Sequence, residues 1–224
     1  MVSERSIFPS NRELEVTPDY LKQFIEEYRN RGFAFVPIDD IVTDLGSHPC
    51  DLRKKKRVNI SFDDGFRDVY ENAFPLFKQL NVPFTIYLTS DFPEGVANVW
   101  WIQLEQFVAG DVSRFEKLAK EAYLSEKNMR DVIHERTGMV PDLRLCKSLS
   151  LSWEQLQEMV DSGLCTVGSH TMAHPGLTRI SNDDMHTELT QSKEIIEKHL
   201  SIHVRHFSYP HSMENEGVQK AVRQ

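Results

Sequence analysis

The chain has 224 residues, 40% hydrophobic and 27% charged, with 26 Lys+Arg against 34 Asp+Glu for a net charge of −8. That is enough for one domain with additions, or two small ones, and for a core that needs neither disulfides nor a structural metal. The composition excludes disorder over most of the chain, the acid excess argues against nucleic acid as a partner, and no apolar run approaches the ~20 residues of a transmembrane segment. Met1–Ser10 contains Glu4 and Arg5 and no apolar stretch, so it does not read as a signal peptide. Cys50, Cys146 and Cys165 are odd in number and widely spaced. They make neither a disulfide framework nor a CxxC site, and lean towards a reducing, cytoplasmic compartment. Nothing in the pattern fixes an oligomeric state.

In chain order, Thr17-Pro18-Asp19 predicts a helix start, with Thr17 as N-cap and Pro18 at the first helical position. Leu21, Phe24, Ile25 and Tyr28 follow at helical spacing and Gly32 is a stop. Phe33–Ile38 reads as a short strand. The run Arg53-Lys54-Lys55-Lys56-Arg57 reads as a solvated loop rather than a site for an acidic polymer. Val58–Phe62 is a second strand. Val69, Ala73, Leu76, Phe77 and Leu80 share a helical face; Pro75 among them implies a kink or restart, and Asn81 with Pro83 ends the segment. Phe84–Thr89 is a third strand, and strand, helix, strand is the pattern of a parallel sheet.

Residues 91–150 break this rhythm and read as an inserted helical subdomain or lid, polar and charged over 113–136. Ser152 with Gln155 predicts a capping box, and Gly163 closes that helix. Leu164–Gly168 is a fourth strand. Ser181 with Asp184 opens a long amphipathic helix, Met185, Leu189, Ile196 and Leu200 inward, His186 and His199 outward and solvated. Phe207–Pro210 is a fifth short strand. Five strands alternating with helices make an α/β sheet or an incomplete barrel, and periodicity does not choose between them.

Two groups of residues carry chemistry. Ser61-Phe62-Asp63-Asp64-Gly65 places adjacent carboxylates at a strand end, where α/β folds bind ligands. Alternation along a strand would give the two Asp side chains different jobs, one on a metal and one on substrate or water. Asp-Asp-Gly is equally a common turn sequence. His170-Thr171-Met172-Ala173-His174 follows the fourth strand, and His at i and i+4 on a helical turn is a metal-ligand spacing. Asp plus two His leaves a position open for water, the layout of a catalytic rather than a structural site. In Phe207-Ser208-Tyr209-Pro210-His211, His211 is a ligand, an acid/base or a surface residue. Trp100-Trp101 is a core pair with a minority reading as a sugar platform, and Cys165 reads as a small buried hydrophobe. His48, His134, His203 and His206 have no partner pattern.

Together these segments resemble the NodB-type polysaccharide deacetylases, carbohydrate esterase family four, over about Val16–His211. Ser61–Gly65 is similar to the family's TFDDG motif, Ser169–His174 to its H-S/T-x-x-H motif, and Phe207–His211 stands where the family has an R-x-P-Y-type motif. The resemblance implies a distorted, incomplete (β/α) barrel of the polysaccharide deacetylase type with a helical insertion at 91–150, in a single domain over 1–224. It implies metal-dependent hydrolysis of N- or O-acetyl groups on a carbohydrate, with Asp64, His170 and His174 holding a divalent metal, commonly zinc. Asp63 would be the general base, and the His211 backbone N–H would contribute to an oxyanion hole.

The sequence departs from the family in four places. Ser208 stands for the Arg that orients the catalytic Asp. His211-Ser212 stands for Tyr-Gly. The later motifs, with a supporting Asp and the general-acid His, have no match before Gln224, and the strand preceding the first helix is missing. The chain thus reads as a domain cut at both ends, with His211 as a substitute acid. The competing readings are a catalytically impaired member that binds only metal or glycan, and deacylation of a non-sugar amide or ester.

Overall fold

The computed structural model describes residues 1–3, 15–47 and 55–223. Glu4, Arg5, His48, Cys50, Arg53 and Lys54 lie outside the described residues, and so do the expectations that rest on them.

Helix α1 (Pro18–Asn30) begins as its sequence dictates: the Thr17 hydroxyl accepts the Tyr20 N–H at 3.1 Å, and Gly32 takes the left-handed φ of +81° beyond its end. The expected strand Phe33–Ile38 shrinks to β1 (Ala34–Phe35), because helix α2 (Ile38–Ser47) starts at once. Pro37 stops the extended run, and Asp39 and Asp40 suit a helix N-terminus. Its buried Asp44 pairs with Lys55 at 2.7 Å and Arg57 at 2.9 Å. The described end of the basic run, Lys55 to Arg57, is exposed as expected, but Asp44 anchors it.

The expected strand Val58–Phe62 is broken at Asn59 into β2 (Arg57–Val58) and β3 (Ile60–Asp64). The Asn59 amide donates to the Val36 carbonyl at 2.9 Å and its oxygen accepts the Thr85 hydroxyl at 2.8 Å, so one side chain joins the two sheets. A π-helical turn, Val69–Ala73, then precedes helix α3 (Phe74–Leu80). Pro75 stands in the first turn of α3, so the helix restarts there, and Asn81 ends it in a left-handed conformation.

Strand β4 (Phe84–Leu88) follows. From there the chain runs through α4 (Asp91–Glu94), α5 (Trp100–Phe107), α6 (Val112–Leu124), α7 (Met129–Thr137) and α8 (Leu143–Leu149). Several of these helices pack around their own apolar cluster of Leu104, Phe115, Val132 and Ile133. Helix α9 (Trp153–Asp161) opens with the expected Ser152/Gln155 capping box. Then come β5 (Cys165–Ser169), α10 (Asn182–Leu200) and α11 (Glu216–Val222). The fifth strand is reduced to one parallel bridge, Ser169 to Phe207, since Pro210 turns the chain into a short 3-10 segment. His186 is exposed as expected. His199 is not merely solvated: it stacks on Trp153, ring centroids 4.2 Å apart and planes at 7°.

The architecture is α/β with parallel strands. The strands β1 and β2 pair parallel, and β3, β4 and β5 form a parallel sheet in that order. No closed barrel forms among the described residues, consistent with a distorted one. The main core packs Phe74, Phe77, Phe84, Ile86, Leu156 and Ile196 between this sheet and its helices; Cys165 packs against it as a small hydrophobe. Register pairs Asp64 with Leu88, and Leu88 with Ser169. The carboxyl ends of all three strands are thereby level, and the residues that follow them share one edge. Among the described residues no helix is long and apolar enough to cross a membrane.

Candidate metal centre and active site

Asp64 is the last residue of β3. Its φ of +73° turns the chain out of the strand, and Gly65 follows at φ +117°. A Cβ on Gly65 would stand 2.6 Å from a Leu88 methyl, so the turn against β4 admits glycine alone without rearrangement. Because Asp64 leaves the extended conformation, strict alternation fails at this point: Asp63 and Asp64 line the same cavity of about 440 Å³, Asp63 exposed and Asp64 largely buried.

His170 directly follows β5. Its backbone N–H donates to the Leu88 carbonyl at 2.8 Å. Its Nδ1 lies 2.9 Å from the Ser208 carbonyl, which can only accept. Nδ1 therefore carries a hydrogen and Nε2 is the ring nitrogen that faces the cavity, the orientation found behind metal-ligating histidines.

His174 reaches the same point by a route the spacing did not indicate. Residues 170–174 form no helical turn; Thr171 and His174 have φ of +68° and +60°. The helix fails because the loop's N–H groups bond elsewhere. Met172 and Ala173 donate to the Glu188 carboxylate, and His174 to the Thr171 hydroxyl.

His174 Nε2 lies 3.2 Å from His170 Nε2 and 3.2 Å from Asp64 Oδ1, with His170 Nε2 at 3.7 Å from that oxygen. Burial holds the His174 imidazole well below its ordinary range, so it is neutral. Burial raises the Asp64 carboxyl to about 6, with His170 opposing and Asp63 adding. Asp64 Oδ1 is buried without a hydrogen-bond partner. Two imidazole nitrogens and a carboxylate oxygen thus converge on one point, and the buried oxygen has no hydrogen-bond partner. A divalent cation would satisfy it, and the N₂O set fits one that accepts nitrogen and oxygen donors. The sequence-predicted ligands are thus brought together.

His211 completes one wall. It holds a left-handed φ of +57° and packs edge-on against His174 with centroids 4.4 Å apart. Its Nε2 is buried with no protein partner. Burial lowers its imidazole to about 4, with His170 contributing, so it is neutral at neutral pH. Trp101 lines the cavity 5.2 Å from the His174 ring and stands edge-on to Trp100 at 5.8 Å. Trp100 instead faces a second cavity of about 320 Å³, beside Asp91, Asn98 and Arg130. Burial raises the Asp91 carboxyl to about 6, with Glu188 and Glu94 adding. His134, His203 and His206 take no part; they bond to the Met139 carbonyl, Glu197 and Asp39.

Sequence reasoning missed Glu188 and Ser192, which hold the ligand loop. The available signal was two polar residues on the inward face of an otherwise apolar helix stripe.

The polysaccharide deacetylase family model matches residues 51–224, and the chain belongs to that family, hydrolases acting on amide or ester bonds. Comparison with curated proteins returned no match. Among solved structures, the chain is similar to the Streptococcus pyogenes deacetylase PplD in complex with acetate, at 20% identity and TM-score 0.67, covering 99% of this chain and 75% of that one. It is also similar to a de-N-acetylase from Aggregatibacter actinomycetemcomitans, at 16% identity and TM-score 0.64, covering 100% and 78%. A third is BC0361, a polysaccharide deacetylase from Bacillus cereus, at 19% identity and TM-score 0.63, covering 99% of this chain and 52% of that one. At these identities the likeness is one of fold.

Proposed function

We propose that the chain is a metal-dependent hydrolase removing N- or O-acetyl groups from a carbohydrate. The observation that carries this reading is the convergence of Asp64, His170 and His174, whose ligand atoms lie within 4.8 Å of one another, at the carboxyl edge of a parallel sheet in a polysaccharide deacetylase chain. These three residues would hold the ion, with zinc favoured by the donor set. Such an ion supplies Lewis acidity towards a carbonyl and lowers the pKa of water.

The protein's own groups do the rest. Asp63, exposed at the cavity wall, accepts the proton of the attacking water. The backbone N–H of His211 is assigned to the developing oxyanion. The proton taken up during attack must reach the departing nitrogen or oxygen. His211 is the residue placed to carry it, since its ring lines the cavity and Nε2 has no protein partner. Being neutral at rest, it must first receive that proton. Trp101 offers an apolar face for the sugar ring.

One observation favours the alternative, a member that binds metal or glycan without turnover. Ser208 stands where the family has an arginine, and among the described residues Asp63 has no ion-pair partner. Metal analysis of the zinc-loaded chain tests the site, and acetate release then separates the readings. We expect about one ion per chain, lost in Asp64→Ala. Asp63→Asn should keep the ion and lower turnover about 10²–10⁴-fold. A chain that binds zinc and releases acetate from no acetylated glycan supports the alternative.

A further inference from the structure

Helix α10 reaches the ligand loop with two side chains one turn apart. Glu188 Oε2 accepts the backbone N–H of Met172 at 2.9 Å and of Ala173 at 2.8 Å. Ser192 Oγ donates to the Thr171 carbonyl at 2.9 Å and lies 2.9 Å from Ser169 Oγ, which in turn accepts the Thr171 N–H at 3.3 Å. Both residues are buried, Glu188 at 9% exposure and Ser192 at 0%, on a face otherwise made of Met185, Ile196 and Leu200.

Across the loop, the backbone N–H groups of Ser90 and Asp91 donate to the carbonyls of Thr171 and Met172 at 3.2 and 3.0 Å. The loop has no helical or sheet ladder of its own and contains two non-glycine residues at positive φ. Its shape is therefore set by these outside anchors. A carboxylate is a costly choice for a buried face. What it gives in return is a charge-assisted bond to each of two consecutive N–H groups, stronger than a neutral acceptor offers.

We infer that Glu188, supported by Ser192, is a positioning residue that fixes the His174 imidazole relative to Asp64 and His170. It touches neither substrate nor metal and acts through the backbone of Met172 and Ala173. The inference rests on the metal reading proposed above.

The test uses cobalt(II) alone, added to the metal-free full chain, with affinity and the visible d–d spectrum as readouts and the melting temperature of each metal-free variant beside them. Glu188→Gln preserves shape and an oxygen that can accept both N–H groups, and removes the charge; Glu188→Ala removes both bonds; Ser192→Ala removes the hydroxyl that donates to the Thr171 carbonyl, with little change in volume. We expect Glu188→Gln to fold, to bind cobalt about 10–100-fold more weakly and to give an altered spectrum, with Glu188→Ala weaker still and Ser192→Ala intermediate. A merely structural role would lower the melting temperature and leave affinity and spectrum of the folded molecules unchanged. That result in the Gln and Ser192 variants overturns the inference while the metal reading stands. Failure of the wild-type chain to take up cobalt overturns the metal reading, and the positioning role with it.

Discussion

Asp64 shows what the site costs. Its side chain is 17% exposed, one oxygen has no hydrogen-bond partner, and burial among histidines raises its carboxyl. Groups held in this way are tolerated where function requires them. Asp91 is a second raised carboxyl, outside the ligand set, and it allows a cleaner test. Its folded value of about 6 exceeds the ordinary 3.8, so between these limits the folded chain binds more protons than the unfolded chain. Its contribution to stability is therefore favourable at low pH and is lost as pH rises from about 4 to about 6. Asp91→Asn should melt above the wild type at pH 7.5, by about 2–4 °C for each kcal/mol relieved. The difference should shrink at pH 5. Thermal denaturation at the two pH values checks this, and a pH-independent difference would contradict it.

At the scale of elements, the helix ends were legible because their chemistry is local. Thr17, Ser152 with Gln155, and Ser181 each cap the helix their sequence marks. Beyond them, Gly32, Asn81 and Gly163 adopt positive φ. The elements that were not legible are those decided by distant partners. Asn59 breaks a strand because Val36 and Thr85 hold its amide. His170 and His174 leave helical geometry because Glu188, 15–16 residues further along the chain on helix α10, takes the loop's N–H groups. The expected side chains still meet, because Asp64, His170 and His174 converge without the backbone being helical. One close approach couples the fold to the site. A Cβ at Gly168 would lie 2.8 Å from both the His206 carbonyl and the Tyr87 ring. Gly168→Ala should therefore push residues 206–208 off β5, costing about 1–3 kcal/mol and displacing the Ser208 carbonyl from His170 Nδ1. Chemical denaturation and zinc affinity should both decline; unchanged zinc affinity in the destabilised variant would contradict the coupling.

For the molecule as a whole, the parallel sheet brings residues far apart in sequence to one edge, and the helices between β4 and α9 wall that edge with Trp101. The family was readable because three motifs occur in order, each at or beside the end of a strand, although no single one is specific. The lining of the second cavity was not readable, because Asp91, Asn98 and Arg130 meet only when the helices between β4 and α9 pack. The departures at Ser208 and His211 concern turnover rather than fold, so the most direct measurement is acetate release from a panel of N- and O-acetylated glycans, before and after chelation and with zinc restored. We expect release by the metal-loaded chain, loss on chelation, recovery with zinc, and none from Asp64→Ala. Release that survives both chelation and Asp64→Ala would contradict metal-dependent deacetylation at this site.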